Sequence, residues 1–183
     1  MMIEKNNPYL LWQRNVKDEL KALSNEEIKE KVKAQSLPAA ILIQNIQHDL
    51  NIGTIVRSAN SFGIFDIYFY GKRRFDRRAA AGTYHYLNLQ FLSTLDEVKA
   101  LKDKYRFVAL ENNLERKTQP LTTYTWPSRP IIITGEESIG ITPDLLELSD
   151  DIVEIESIGS VRSMNVGVAA SIAMYDYSMK MKR

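Results

Sequence analysis

The stretch AAILIQNIQHDLNIGTIVRSANSFGIFDIYFY, residues 39–70, decides the fold class. It opens with a nearly continuous apolar run, as expected of a strand that is buried on both faces. A second apolar run, DIYFY, ends the stretch and predicts another strand. Between them, apolar residues recur at helical spacing: Ile52, Ile55, Val56, Ala59 and Phe62. A strand, a helix and a second strand in this order predict parallel strands.

The rest of the chain continues this alternation. The runs LQFL, RFVAL, PIIIT and DIVEI predict four further strands, and the polar segment at 111–128 predicts a loop with little regular structure. STLDEVKALKDK predicts a helix with a capping box from Thr94 to Glu97. TPDLLEL predicts a short helix with Thr142 as its cap and Pro143 in its first position. A long final helix is predicted over MNVGVAASIAMYDYSMKMK. The predicted fold is therefore α/β, a parallel sheet with flanking helices.

Length and composition favour one soluble domain with a short appendage. The chain has 183 residues, 44% of them apolar, which is enough for a single core. It contains no apolar run of about 18 residues and no signal-peptide pattern at its start, so we expect no membrane partner and a cytoplasmic protein. The absence of cysteine rules out thiolate chemistry, and with only His48 and His85 available we expect no metal site.

The first 36 residues read as an N-terminal helical extension. Residues 13–33 mix both charge signs and predict an exposed amphipathic helix or helix pair, which ends at Ser36 and Pro38. This segment is either a solvated structural face or an arm that binds a partner. We place the main domain at residues 37–183.

A basic cluster lies in GKRRFDRR, residues 71–78. Five cations, Lys72, Arg73, Arg74, Arg77 and Arg78, stand against the single carboxylate of Asp76, a local excess of +4. Such a cluster can neutralise several phosphates, and Phe75 offers a ring face to a base, so the segment predicts RNA binding. The alternative is a solvated loop that keeps the protein soluble.

Ligands of a parallel sheet collect in the loops beyond the carboxyl ends of its strands. Three such loops are rich in small polar residues: NIQHDLNIG, TGEESIG and ESIGSVRSMN. None carries a dinucleotide or P-loop pattern, and the two carboxylates of GEESIG favour a neutral or cationic ligand over a phosphate. No serine, histidine and carboxylate set has credible spacing, so we interpret His48 as a structural residue.

Together these loops resemble the SpoU class of RNA 2′-O-ribose methyltransferases. NIGTIVRSANSFG is similar to the first motif of that class, with an asparagine, a glycine two residues on, and an arginine four further. IIITGEESIGITPDLLELSD resembles the second motif and SMNVGVAASIAMYDY the third. The three stretches occur in the order of the family, each at a strand-to-helix junction, and the resemblance covers about residues 37–180.

The resemblance implies a SPOUT fold with a C-terminal deep trefoil knot, a homodimer, and S-adenosylmethionine bound in the knot. It implies methylation of a ribose 2′-hydroxyl in tRNA or rRNA. Glycines at the donor site permit close backbone approach. The residues implied to bind the donor are Thr134, Gly135, Glu136, Gly140, Ile155, Ile158, Gly159, Ser163 and Met164.

The resemblance also implies roles in the chemistry. In the family the matching arginine is described as activating the hydroxyl. Because a guanidinium is a poor base, we instead expect Arg57 to hold an RNA phosphate and to stabilise the 2′-oxygen as it becomes anionic, while the proton leaves through phosphate or water. Asn51 and Glu137 would shape the substrate pocket. Ser163 and Asn165 open the last helix, where Asn165 would orient the donor or the ribose and where plain N-capping is the alternative.

The chain departs from the family pattern before and within the third motif. Glu156 and Ser157 stand where proline and methionine are common, and Gly167 should loosen the last helix slightly. Two other functions remain open: an RNA-binding or assembly factor of the same fold without activity, and a small-molecule α/β enzyme that uses the GEESIG loop differently. The extension is too short to be an RNA-binding domain, which favours a compact target such as a tRNA.

Overall fold

The computed structural model of this chain describes residues 15–71, 74–112 and 117–181. The strands are β1 (Leu37–Gln44), β2 (Ile64–Tyr70), β3 (Asn88–Leu92), β4 (Arg106–Leu110), β5 (Gln119–Pro120), β6 (Pro130–Thr134) and β7 (Asp151–Glu154). The α-helices are α1 (Asn25–Ala34), α2 (Asp49–Ser61), α3 (Leu95–Ala100), α4 (Pro143–Leu148) and α5 (Val166–Met181). Short 3-10 turns lie at Asp18–Leu20, Arg77–Ala80, Thr83–Tyr86 and Leu101–Asp103.

The strands form one parallel sheet in the order β3-β2-β1-β6-β4-β7-β5. The predicted α/β class is therefore confirmed. The chain runs outward from β1 through β2 to β3 and then crosses to the other half of the sheet. There β6 lies between β1 and β4, so the two central strands are far apart in sequence.

Each face of the sheet has its own apolar core, and successive residues of β1 alternate between them. Ala39, Ile41 and Ile43 belong to the core that α2 and α5 cover. Ala40 and Leu42 belong to the core that α3 and α4 cover. This arrangement explains why the first run is apolar at every position, because neither face of β1 meets solvent.

The helices that follow β1 and β6 cover opposite faces of the sheet. α2 follows β1 and packs into the first core, whereas α4 follows β6 and packs into the second. Because these two strands are neighbours, their following segments diverge and leave a crevice at the carboxyl edge. The fold thus places a cleft between the first and second motifs.

Two predicted helix starts are confirmed and one cap differs. Thr94 and Glu97 form the expected capping box at α3. Thr142 occupies the N-cap position of α4, but its hydroxyl makes no capping bond, because it accepts from Gln44 Nε2 at 2.6 Å and donates to Asp144. α5 begins at Val166, two residues later than predicted.

The described part of the N-terminal extension, residues 15–36, packs against the main domain. α1 has a capping box between Ser24 and Glu27, its Ile28 is buried, and it packs against the turn at Thr83–Tyr86. Residues 13 and 14 of the predicted helix pair lie outside the described residues. No helix in the described ranges is long and apolar enough to cross a membrane.

The segment predicted as a loop, residues 111–128, is held firmly where the structure describes it. β5 pairs with β7, and Trp126 Nε1 donates a hydrogen bond to Asp176 Oδ2 of α5 at 2.7 Å. Lys180 Nζ donates to the carbonyl oxygens of Leu121 and Tyr124. The segment therefore packs along the last helix, although its polar sequence gave no such signal.

Candidate active site

A cleft of about 600 Å³ opens at the carboxyl edge of the sheet, between the segments that follow β1, β4, β6 and β7. All three motifs contribute to its walls. The lining combines apolar side chains, carboxylates and small polar groups, among them Asn51, Leu110, Glu111, Glu136, Glu137, Ile141, Ile155, Ser163 and Met164.

The second motif forms a tight hairpin, residues 136–140, after β6. Glu136 and Gly140 exchange two backbone hydrogen bonds, of 3.0 and 2.9 Å. Gly140 has a φ of +71°, the left-handed region that favours glycine. A Cβ on Gly135, just before the hairpin, would lie 2.1 Å from the carbonyl carbon of Gly140. Neither Gly135 nor Gly140 can therefore be replaced by a residue with a side chain without moving the backbone.

Glu137 binds the hairpin to the start of α2. Its Oε1 accepts from Asn51 Nδ2 at 2.8 Å and from the backbone N–H of His48 at 3.3 Å, and its Oε2 accepts from the backbone N–H of Gln47 at 3.0 Å. Burial raises the pKa of Glu137, but these hydrogen bonds outweigh burial and hold the pKa below its usual value. Glu137 is therefore a fixed anion near neutral pH.

Asn51 and Asn165 join the first motif to the third. Asn165 Nδ2 donates to Asn51 Oδ1 at 3.0 Å, while Asn165 Oδ1 caps α5 by accepting from the backbone N–H of Val168 at 3.2 Å. Asn165 uses its amide oxygen to cap the helix and its amide nitrogen to contact Asn51. Helix capping and a role in the site are therefore compatible for this residue. Ser163 lines the cleft beside it and is exposed.

α2 and α5 run side by side from this link. Gly167 packs against Thr54 so closely that a Cβ at position 167 would lie 3.2 Å from Thr54 Cβ, and Ser58 and Ser171 share a hydrogen bond of 2.7 Å. Gly167 therefore has a packing function: its missing side chain allows the two helices to approach closely. This spacing holds Asn51 and Asn165 at hydrogen-bonding distance.

Arg57 does not line the cleft of its own chain. It lies six residues after Asn51 on α2, which separates the two side chains by about 120° around the helix and about 9 Å along it. Arg57 is exposed, and its side chain makes no ion pair or hydrogen bond with any residue in the described part of the chain. Its predicted role in the chemistry stays a prediction.

An exposed apolar stripe on α5 lies near Arg57. It consists of Val168, Ile172 and Tyr175, whose exposed fractions are 45%, 36% and 53%. Thr54, one turn before Arg57 on α2, contacts α5 at Gly167, next to the first residue of this stripe. Three large side chains exposed at helical spacing are typical of a helix face that another surface covers.

The described part of the basic cluster, residues 74–78, lies in a turn that packs against α2. The Asp76 backbone N–H donates to Asp49 Oδ2 at 2.9 Å, and Gly53 of α2 has no room for a side chain beside Ala79. Arg77 lies 5.2 Å over the ring of Tyr84. Of the predicted RNA-binding residues, Arg74, Arg77 and Arg78 are described, whereas Lys72 and Arg73 lie outside the described residues.

Two features of this turn differ from the prediction. Phe75 stacks on Phe69 at 5.5 Å, so its ring contributes to the core and one face is unavailable to a base. Arg78 holds Asp76 through both carboxylate oxygens, which leaves Arg78 only partly available for a phosphate.

Six of the nine predicted donor-binding residues line the cleft: Gly135, Glu136, Gly140, Ile155, Ser163 and Met164. The other three do not. Thr134 is buried, with its hydroxyl 3.4 Å from the carbonyl oxygen of Leu42, and Ile158 and Gly159 are exposed in the segment before α5. Among described atoms no close approach requires a glycine at 159. Glu156 and Ser157 are the residues before the third motif that depart from the family pattern. Ser157 lines the cleft, and Glu156 accepts a hydrogen bond from the hydroxyl of Thr122.

The lining also includes residues that were not predicted, among them Glu111, Asn112 and Arg162. Glu111 and Asn112 follow β4, and Arg162 precedes the third motif. Position after a buried strand was the only available signal for the first two, because no motif surrounds them. His48 also lines the cleft, at the N-cap of α2. No group of three or more metal-binding side chains occurs within the described ranges.

Comparisons with known proteins agree with this geometry. A tRNA (guanosine(18)-2′-O)-methyltransferase of Aquifex aeolicus is 22% identical over 82% of this chain and 74% of its own length. The crystal structure of the A. aeolicus TrmH/SpoU tRNA modifying enzyme matches with a TM-score of 0.76 at 18% identity, covering 86% of this chain and 82% of that one.

A SpoU methyltransferase, AviRb from Streptomyces viridochromogenes, solved in complex with the cofactor AdoMet, matches with a TM-score of 0.70 at 21% identity. The match covers 81% of this chain and 58% of that one. Residues 38–175 also match the sequence profile of the SpoU rRNA Methylase family. That match takes in the first two motifs, nearly all of the third and most of the sheet, and this chain therefore belongs to the SpoU rRNA Methylase family.

Proposed function

We propose that this chain is an S-adenosylmethionine-dependent methyltransferase that acts on a ribose 2′-hydroxyl of a structured RNA, a tRNA or an rRNA. The observation that carries the proposal is the chain of hydrogen bonds from Glu137 through Asn51 to Asn165. It joins one residue of each motif at the wall of one cleft. The relatives named as tRNA 2′-O-methyltransferases support the reaction.

The cleft suits the methyl donor in size and chemistry. Its volume of about 600 Å³ is typical of small-molecule sites. The carboxylates of Glu136 and Glu137 match a ligand that carries sulfonium and ammonium charges. We infer that the six lining residues predicted for the donor hold it, and Thr134, Ile158 and Gly159 stay predictions. When bound, S-adenosylmethionine supplies a methyl group already activated for transfer.

The chain must then orient a ribose and stabilise charge. The 2′-oxygen loses its proton as it attacks, so negative charge develops there, and a fixed cation beside it lowers the barrier. Arg57 fits this role, because a guanidinium stays protonated and can bind an adjacent phosphate through two N–H groups. The proton leaves through phosphate or water. Asn51 and Glu137 shape the pocket in which the ribose is aligned with the methyl group.

We infer that Arg57 completes the site of a second copy of this chain in a homodimer. The exposed stripe of Val168, Ile172 and Tyr175 is an apolar face on the helix that packs beside α2. A C2 partner that covers this stripe meets the Arg57 side of α2 at the rim of the interface. The guanidinium, directed away from its own cleft, is then available to the cleft of the partner.

RNA contacts are assigned to the basic turn. Arg74 and Arg77 are described without a carboxylate partner in the described ranges, and Arg78 shares Asp76. The turn packs on the first half of α2, two residues from Asn51, so an RNA strand can follow it toward the cleft. Lys72 and Arg73 are proposed to add to this surface.

Three further expectations belong to the same proposal. The main domain starts near Leu37, in agreement with a family match that begins at residue 38. The C-terminal trefoil knot of the SPOUT fold is proposed for the segments after β4 and β7, which contact each other where Asn112 Nδ2 donates to the carbonyl oxygen of Arg162 at 3.2 Å. A cytoplasmic location is proposed because tRNA and rRNA are found there.

The proposal is tested by methyl transfer to RNA from cells that lack the gene. The purified protein, radiolabelled S-adenosylmethionine and total tRNA or rRNA should give 2′-O-methylated nucleotides, and mapping them names the target. Arg57→Ala should abolish transfer while it leaves donor affinity nearly intact. Arg129→Ala, at the opposite edge of the sheet, is the matched control and should keep full turnover. Full turnover in Arg57→Ala would remove the assigned role.

Mixing two inactive variants tests the action of Arg57 across the dimer. Gly135→Ala disrupts the donor hairpin, since its Cβ would collide with Gly140. When equal amounts of the Gly135→Ala and Arg57→Ala proteins are mixed and exchange subunits, half of the dimers contain one chain of each kind. Each mixed dimer has one complete site if Arg57 acts on its partner. The mixture should then recover about a quarter of wild-type activity. No recovery, with mixed dimers demonstrated by two affinity tags, would contradict action across the interface.

A further inference from the structure

The carboxylate of Glu111 connects the end of β4 to the hairpin of the second motif. Its Oε2 accepts a hydrogen bond from the backbone N–H of Ile141 at 2.8 Å, and its Oε1 accepts one from the backbone N–H of Asn112 at 3.0 Å. Ile141 is the residue at which the chain leaves the hairpin at 136–140. Both carboxylate oxygens of Glu111 therefore bind backbone.

Gly140 is shaped around this carboxylate. A Cβ built on Gly140 would lie 2.3 Å from Glu111 Oε2, closer than carbon and oxygen can approach. The carboxylate thus occupies the space that a side chain at position 140 would need. The second glycine of GEESIG satisfies two demands at once, a left-handed backbone and contact with Glu111.

The hairpin is held from the other side by its own carboxylates. Glu136 Oε2 accepts from Asn45 Nδ2 at 2.8 Å, and Glu137 accepts from Asn51 and from the backbone of the β1 segment. These bonds attach the hairpin to the loop after β1. In the described part of the chain, Glu111 is the side chain that attaches it toward β4. Without Glu111 the hairpin is anchored on one side.

Hairpin position determines the shape of the cleft. Gly135, Glu136, Ile139 and Gly140 of this segment all line it, opposite Ser163 and Met164 of the third motif. Asn112, the residue after Glu111, donates through Nδ2 to the carbonyl oxygen of Arg162 in that opposite wall. Two consecutive residues at the end of β4 therefore bind both walls of the cleft.

We propose that Glu111 is a positioning residue, whose carboxylate holds the hairpin at 136–140 in the conformation that binds the methyl donor. The proposal rests on the proposed function. A direct role, in which the charge of Glu111 attracts the sulfonium of the donor, is disfavoured because both oxygens already accept from backbone N–H groups. The two roles make different predictions for the donor and for its demethylated product.

The test compares affinities for S-adenosylmethionine and S-adenosylhomocysteine, which differ in the sulfonium charge. Glu111→Ala removes both hydrogen bonds and should weaken binding of both ligands by the same factor, about tenfold. Glu111→Gln keeps one acceptor oxygen and should weaken both by a smaller, equal factor. Glu147→Gln, on the exposed side of α4, is the matched control and should change neither affinity.

Kinetics and hydrogen exchange supply readouts that a loss of overall stability would not reproduce. In Glu111→Gln, KM for the donor should rise while kcat at saturating donor stays nearly unchanged. Amide exchange should accelerate in residues 136–141 and at Asn112, and nowhere else. If the variants bind S-adenosylmethionine more weakly but bind S-adenosylhomocysteine as the wild type does, Glu111 acts by charge and the positioning role is wrong. Unchanged affinity for both ligands would also overturn it. Failure of the wild-type protein to bind S-adenosylmethionine would instead defeat the proposed function.

Discussion

Replacing Gly167 with alanine is expected to destabilise this protein, although alanine is the better helix former. Gly167 lies in the first turn of α5 and is buried against α2. An added Cβ would lie 3.2 Å from Thr54 Cβ, 3.2 Å from Asn165 Oδ1 and 3.3 Å from the carbonyl oxygen of Asn51. All three contacts are tighter than ordinary van der Waals distance, and one is with backbone, which cannot rotate away.

Two opposing free energies decide the sign. Glycine to alanine in a helix gains up to about 1 kcal/mol of propensity. Inserting a methyl group into a packed interface costs about 1–3 kcal/mol, because helices or rotamers must shift. The difference is a net loss of about 1 kcal/mol in the free energy of unfolding, which lowers Tm by about 3 °C for a domain of this size.

Differential scanning calorimetry of Gly167→Ala measures this shift, and a double-mutant cycle with Thr54→Gly locates its cause. Thr54→Gly removes one of the three crowded atoms, so Gly167→Ala should be less destabilising by about 1 kcal/mol in that background. A Tm for Gly167→Ala above that of the wild type would refute the reasoning. It would show that α5 can move away from α2 without cost, and that Gly167 only weakens the helix.

Two other predictions concern the basic turn and the acid stability of the fold. The double variant Arg77→Ala/Arg78→Ala should weaken RNA binding and reduce the slope of log K against log salt by about 0.7–0.9 per lost phosphate contact. The control Lys99→Ala on α3 should change neither the affinity nor the slope. An unchanged slope in the double variant would contradict phosphate binding by the turn. Burial raises the pKa of Asp66, but the hydrogen bonds it accepts from three neighbouring side chains hold that pKa below its usual value. Its contribution to stability is therefore complete above about pH 4 and lost as pH falls through the lowered pKa. Urea unfolding should show that Asp66→Asn is less stable at pH 7 and loses less stability on acidification; equal losses in both proteins would contradict this assignment.

The elements that sequence could predict are those whose burial is encoded locally. β1 and β6 are apolar at nearly every position because cores lie on both faces, and α2 repeats apolar residues at one helical spacing. Parallel strands then require that their following loops share an edge, so the position of the cleft was also accessible. Strand order could not be predicted from the sequence, because the placement of β6 beside β1 depends on pairing between segments about ninety residues apart.

Individual site residues were less accessible than the site itself. Glu111 stands in a polar run whose spacing carries no signal, and its function depends on the space that Gly140 leaves free in a different loop. Phe75 lies between charged residues, yet its ring stacks on Phe69 in the core. Gly140 is distant from Glu111 in sequence, and although Phe69 lies only six residues before Phe75, the charged run around Phe75 carries no periodicity that marks the contact. Only the folded chain reveals either contact.

The distribution of charge around α2 supports the proposal that a complete site needs two chains. The cleft on one side of the helix is lined by Glu136 and Glu137, which suit a cationic methyl donor and would repel RNA phosphates. Arg57 and the basic turn lie on other sides of the same helix, where they can bind RNA without neutralising the donor site. Methyl transfer requires the 2′-oxygen to meet both a cation and the methyl group. In the proposed homodimer, a second copy that covers the α5 stripe would bring an acidic cleft and the exposed Arg57 to the same place.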